Sequence, residues 1–174
     1  PRWWVFSLTP KLAESMKKVV GIMLIAVLIL LILGAWVSST AGGDYNQACG
    51  VGSKAWPLCQ GEVVPDVSQT PILVQMVHRV AVLVVGGLLF WGSQRVGREF
   101  AGKSGALEIS ITSAFYLWAT NLFVGGLYLF TATGGFAEWL SLLHLVLAVA
   151  TFIAIAVSAI LVEIAISAAP MEDE

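Results

Sequence analysis

Four long runs of apolar residues, separated by short polar stretches, dominate the pattern along this chain of 174 residues. The first run covers about 19–37 and contains the unbroken stretch from Ile22 to Leu33. The others cover about 71–92, 109–130 and 139–162. Each is long enough to cross a bilayer as a helix, which takes roughly 20 apolar residues. Helix is required, because lipid offers no partners to open backbone groups. The pattern therefore predicts an all-α fold: a polytopic membrane protein built as a four-transmembrane-helix bundle over 19–166. An N-terminal lead-in (1–18) precedes it, a short tail (167–174) follows it, and one long loop (38–70) joins the first two spans. The first apolar run is far longer than a signal peptide's core, so no cleavable signal is expected despite Lys17 and Lys18 before it.

Composition sharpens this reading. Hydrophobic residues make up 58% and charged residues 11%, with a mean hydropathy of +0.88. So little charge cannot cover a water-soluble surface, and a net charge of −2 with this apolar bulk excludes nucleic-acid-binding, collagen-like and disordered classes. The cations are lopsided. Arg2, Lys11, Lys17 and Lys18 precede the first span, and Arg95, Arg98 and Lys103 join the second to the third. The long loop carries only Lys54, so the positive-inside rule predicts a cell-membrane protein with both termini cytoplasmic. Trp36 and Trp56 on the outer side, and Trp3, Trp4 and Trp91 on the inner, occupy interfacial positions.

Candidate chemistry gathers toward the predicted outer side. Cys49 and Cys59, the only cysteines, both fall in the long loop, on the oxidising face where disulfides persist. A structural disulfide and a dithiol relay toward an external redox protein are both open readings, beside free thiols or metal ligation. The only histidines, His78 and His144, lie in the second and fourth spans. His78 is seven residues inside Pro71 and His144 six inside Glu138, each roughly 10 Å below the outer boundary. Imidazoles level with each other on two helices could approach one iron from opposite sides of a flat macrocycle; hydrogen-bonded packing residues are the plainer reading. Ala81, Gly86 and Ala148 keep small side chains near them, suiting either a porphyrin plane or helix packing. Arg79 has two candidate partners, a haem propionate or lipid headgroups reached by snorkelling.

These residues carry a family resemblance. The stretch from Val37 through Ser38, Ser39, Thr40 and Ala41 to Gly42 is similar to heme A synthases. So are Cys49 with Trp56-Pro57-Leu58-Cys59-Gln60-Gly61, the pair His78-Arg79, the segment from Asn121 to Gly126, and His144 with Ala148. The resemblance covers about 34–156. It implies a membrane oxidoreductase that converts the C8 methyl of haem O to a formyl group, yielding haem A for terminal oxidases. It also implies haem B as cofactor and His78 and His144 as ligands of haem iron, with Arg79 in the cofactor site.

Implied partners are the haem O substrate, the lipid bilayer, a haem O synthase, a terminal oxidase and an external thiol redox protein. The family's usual chain carries two four-helix halves, so a homo-oligomer, most simply a dimer, is expected, with Gly86, Gly87, Gly125 and Gly126 able to admit close backbone contact. Gln75 stands where family members commonly carry a glutamate, leaving Asp44, Glu62, Asp66 and Glu138 as outer-side carboxylate candidates. Two other classes compete: a bis-histidine b-type membrane cytochrome that only transfers electrons, and a quinone-coupled thiol oxidoreductase. The first leaves the cysteine loop without a role, and the second lacks the expected Cys-x-x-Cys pair.

Overall fold

The structure, a computed structural model, describes residues 10–38, 44–99, 105–132 and 137–167. Arg2, Trp3, Trp4, Ser39, Thr40, Ala41, Gly42, Lys103, most of the lead-in's first half and nearly all of the tail lie outside the described residues. The fold is all-α. Helices α1 (Pro10–Ser38), α3 (Thr70–Glu99), α4 (Ala106–Phe130) and α5 (Glu138–Ser167) are each long and apolar enough to cross a membrane. A single short turn, α2 (Asp44–Gln47), and a 3₁₀ turn at Gly52–Lys54 lie in the long loop.

The helices outrun the apolar stretches. Thirty residues of α3 extend about 45 Å, against a hydrocarbon core of about 30 Å. The surplus at the end away from the loop carries the charges. There Lys17 of α1 pairs with Glu163 of α5 at 3.0 Å, and Arg95 pairs with Glu99 at 2.8 Å while lying over the Trp91 ring. Both pairs are open to solvent or partly so, and solvent screening leaves them little weight in stability.

Round the bundle the order is α1–α3–α4–α5, each helix packing on its two neighbours, so α3 and α5 oppose each other diagonally. The apolar core is uneven along the axis. Its buried cluster takes Met16, Met23 and Val27 from α1, Val85, Leu89 and Val96 from α3, Leu107, Ile111 and Ala114 from α4, and Ile155 and Val162 from α5. All of these lie toward the end opposite the loop. In lipid no hydrophobic effect presses helices together, so close fits and polar contacts decide the packing. Gly92 admits Met23 and Ile111 to the α3 backbone, and Ser110 of α4 shares a 2.7 Å hydrogen bond with Ser158 of α5.

At the upper limit of this core stands Trp118 of α4. Its indole presses on Gly86 of α3 so closely that a Cβ there would overlap the ring, and it stacks on Phe115 with centroids 6.0 Å apart. Gly86→Ala should therefore destabilise by about 1–3 kcal/mol, the usual cost of overpacking. Thermal unfolding in detergent should show a lower midpoint for Gly86→Ala and an unchanged one for Gly87→Ala, since Gly87 has nothing within 4 Å of a Cβ.

Candidate functional site

The long loop folds back over the bundle end instead of standing off it. Cys49 and Cys59 form a disulfide and are both fully buried, packing with Ile72 of α3. Gly50 and Gly61, at φ 84° and 86°, make the turns beside the two cysteines, where a side chain would strain the backbone. Gln60 ties the loop to itself: its N–H donates to Cys49 O at 2.9 Å and its side-chain amide to Ala48 O at 3.1 Å. Trp56 leaves the loop to seat its indole against Gly126 of α4, a position that any side chain at 126 would close.

Two residues of α3 reach up to hold this loop. Arg79 donates from Nη1 to Leu58 O at 2.7 Å and from Nη2 to Ala55 O at 2.8 Å. Gln75, nearly fully buried, donates from Nε2 to Tyr45 O at 2.6 Å. Arg79 is thus engaged by loop carbonyls, a partner that neither the propionate nor the snorkelling expectation contained. Two of its five N–H donors are taken by these bonds.

Beneath the loop the two histidines stand at one level. Gly86 on α3 faces Trp118 on α4, so His78, eight residues nearer the loop, is level with residue 126 of α4. His144 packs on Gly125, within one residue's rise of that level, about 1.5 Å. The two histidines stand on diagonally opposed helices. A Cβ at Gly125 would lie 2.8 Å from His144 Cε1, so only glycine lets this ring reach the α4 backbone. There His144 Nδ1 meets Asn121 O at 3.2 Å. A carbonyl accepts only, so Nδ1 carries the proton and Nε2 keeps its lone pair. His78 is different: its Nδ1 is buried with no hydrogen-bond partner, and its Cε1 lies 3.5 Å from where a Cβ at Gly34 would be. Two further buried polar atoms lack partners in the same half of the bundle, Asn121 Oδ1 and Trp118 Nε1. Each such atom costs about 1–3 kcal/mol if nothing answers it.

Comparison with known proteins gives this site its setting. Over 93 residues, half of the chain, it is 33% identical to a heme A synthase of Alkalihalophilus pseudofirmus, covering 29% of that protein. Over 145 residues, 76% of the chain, it is 29% identical to a heme A synthase of Geobacillus kaustophilus, covering 44% of that protein. The chain is a relative of the heme A synthases. It also matches a protoheme IX farnesyltransferase of Thermus thermophilus, 33% identical over 90 residues, which are 49% of the chain and 14% of that protein. The chain spans less than half the length of these curated relatives. No family model matches it, and no solved structure does.

In this heme A synthase relative the residues present fit a haem. His78 and His144, on opposed helices, would each supply an imidazole nitrogen to haem iron, and the hydrogen bond from His144 to a carbonyl is of the kind that orients metal-ligating histidines. Among the described residues no group of three or more His, Cys, Asp or Glu side chains could hold a bare metal ion.

The structure brings His78, His144, Arg79, Gln75 and the disulfide to one end of the bundle. It leaves the carboxylates apart: Glu62, Asp66 and Glu138 are all exposed, and the side chain of Asp44 lies outside the described residues. The Ser68 backbone N–H and hydroxyl hold the Asp66 carboxyl below the usual carboxylate range, so it is ionised at neutral pH. Trp56, one of the interfacial candidates, fills a seat on α4 near its loop end, whereas Trp36 and Trp91 are about half exposed. Gly86, Gly125 and Gly126, considered for contacts between copies, are occupied inside the protomer by Trp118, His144 and Trp56; Gly87 alone of the four faces open space. Sequence reasoning passed over Trp118, although an indole at the middle of a span, away from either interface, was a signal that its N–H needs a partner.

Arg79→Leu should free the loop while leaving the disulfide intact. Each bond from a charged donor contributes about 1.5–3 kcal/mol. Cleavage by a glutamate-specific protease at exposed Glu62 should accelerate at least about tenfold, the equivalent of 1.4 kcal/mol. Thiol labelling of the denatured, unreduced variant should still find neither Cys49 nor Cys59 reactive; an unchanged cleavage rate would show that Arg79 does not hold the loop.

Proposed function

We propose that this chain forms a haem-binding four-helix unit of a heme A synthase, a membrane oxidoreductase that converts the C8 methyl of haem O to a formyl group. The observation that carries this reading is the pair His78 and His144 at one level on diagonal helices, beneath a loop pinned by Arg79. The relatives' names support it: heme A synthases in two cases, and a protoheme IX farnesyltransferase, whose name describes a farnesylated haem, in the third. The chemistry a bound haem supplies is iron-centred redox change, with haem B as the cofactor and haem O and haem A as substrate and product.

The protein's own residues have separate tasks in this scheme. His144, held by the Asn121 carbonyl, presents Nε2 in a fixed orientation. His78 presents the opposing imidazole and has no such tether at Nδ1. Arg79 places a positive charge at the loop end of the site, suited to propionates. Trp56 and the disulfide-closed loop cover the mouth and limit water. The cation distribution supports cytoplasmic termini and a loop on the outer face, where an external thiol protein could meet the disulfide. A homo-oligomer, most simply a dimer, remains part of the proposal. Four helices enclose one macrocycle readily, while a second haem needs further inward faces. Haem O synthase and a terminal oxidase are the partners this chemistry calls for.

His78→Ala and His144→Ala should each abolish the low-spin bis-imidazole spectrum or reduce bound haem at least about tenfold, and Gly125→Ala should weaken haem binding about 10–100-fold by pushing His144 off its carbonyl. Gly87→Ala serves as the matched control with no change. Extraction of the bound porphyrin separates the classes: haem O or haem A supports the synthase, whereas haem B alone moves the assignment to the electron carrier. A wild-type spectrum in both histidine variants would falsify the proposal.

A further inference from the structure

Asn121 and Trp118 are outside every role assigned so far to side chains of the site. They sit three residues apart on α4, on the face that continues to Gly125, where His144 packs. Asn121 is four residues and Trp118 seven residues farther from the loop than Gly125, about 6 Å and about 10 Å deeper. Asn121 Oδ1 is a buried acceptor and Trp118 Nε1 a buried donor, and neither has a partner. Both positions are toward the middle of the span, where water does not compete and where Trp118 closes the top of the apolar core. The Asn121 backbone oxygen is already engaged by His144, so the residue couples the histidine level to its own side chain.

We propose that Asn121 and Trp118 form a recognition site for a hydroxyl group on the edge of a bound porphyrin that points away from the loop. The chemistry is selective. A buried acceptor and a buried donor about one helical turn apart, not bonded to each other, can both be answered by a group that gives and takes a hydrogen bond, as an alcohol does; a vinyl group can do neither. Haem O differs from haem B in carrying a hydroxyalkyl isoprenoid chain in place of one vinyl, so these residues would distinguish substrate from cofactor within the same pocket. The polar, cationic end of the site, at Arg79, leaves the deep end for this less polar edge. The inference rests on the haem reading given above and names which feature of the substrate the chain reads. Asn121 and Trp118 contact the substrate in this scheme and are distinct from the iron ligands.

Spectral titration of the full chain in lipid nanodiscs tests it, with haem B, haem O and iron haematoporphyrin as probes. The last carries hydroxyethyl groups in place of both vinyls and has no isoprenoid tail, so it separates the hydroxyl from the tail. Asn121→Leu and Trp118→Phe should each weaken haem O and iron haematoporphyrin roughly tenfold while changing haem B by less than about twofold, as expected for removal of one buried hydrogen bond. Haem B also reports that the variants fold and keep their bis-imidazole spectrum. Equal losses for all three probes would assign the two residues to packing and overturn the hydroxyl site, as would no loss for any. If the wild type binds the probes with a histidine-dependent spectrum but the variants do not discriminate, only this inference falls. If the wild type binds none of them through His78 and His144, the haem reading falls and takes the inference with it.

Discussion

A guanidinium placed inside a membrane span has to be given acceptors, and Arg79 obtains them by drawing the long loop down onto the bundle. An arginine within a span is costly unless its donors find acceptors, so the loop carbonyls of Ala55 and Leu58 and the helix bearing His78 are mutually dependent. The disulfide keeps those carbonyls in a compact unit, and Gln75 adds a second tie one turn nearer the loop. A glutamate at 75 could repeat the bond to Tyr45 O only in its protonated form, since a carboxylate offers no donor. The amide at this position holds the loop in place at any protonation state.

Glycine provides what hydrophobic pressure cannot provide in lipid. Each of Gly86, Gly125 and Gly126 receives one large ring, from Trp118, His144 and Trp56 in turn. The seats lie on two helices, Trp118 against α3 at the top of the apolar core, and His144 and Trp56 against neighbouring residues of α4 nearer the loop. Only His144 gains a backbone hydrogen bond by this approach, and the bond decides its tautomer. His78 has room but no tether. The two opposed imidazoles are chemically alike and mechanically unequal.

What was legible in the sequence follows from distances that helices fix. Four spans could be read because a bilayer demands long apolar stretches, and the common depth of His78 and His144 could be counted because the rise per residue is constant. Rotation and long-range closure were not legible. That His144 faces Gly125, that Trp56 turns inward to Gly126, and that Arg79 finds carbonyls some 20 residues earlier in the chain all depend on how the helices are turned and how the loop returns. The exposed carboxylates Glu62, Asp66 and Glu138 drew notice by charge alone, and charge does not say which way a loop side chain points. Asn121 and Trp118 lay within plain view as polar atoms at mid-span, the one clue that needed no fold to interpret.

The uneven core has a thermodynamic meaning of its own. Below Trp118 the helices are held by one another, through interlocked Met, Leu, Ile and Val side chains. Above it, the contacts are largely polar, and the disulfide-closed loop supplies the cover through Arg79 and Gln75. A haem bound there, as proposed, would add its free energy to that upper half, and local opening of that half would then become a gauge of cofactor supply, while the helices below keep their own packing.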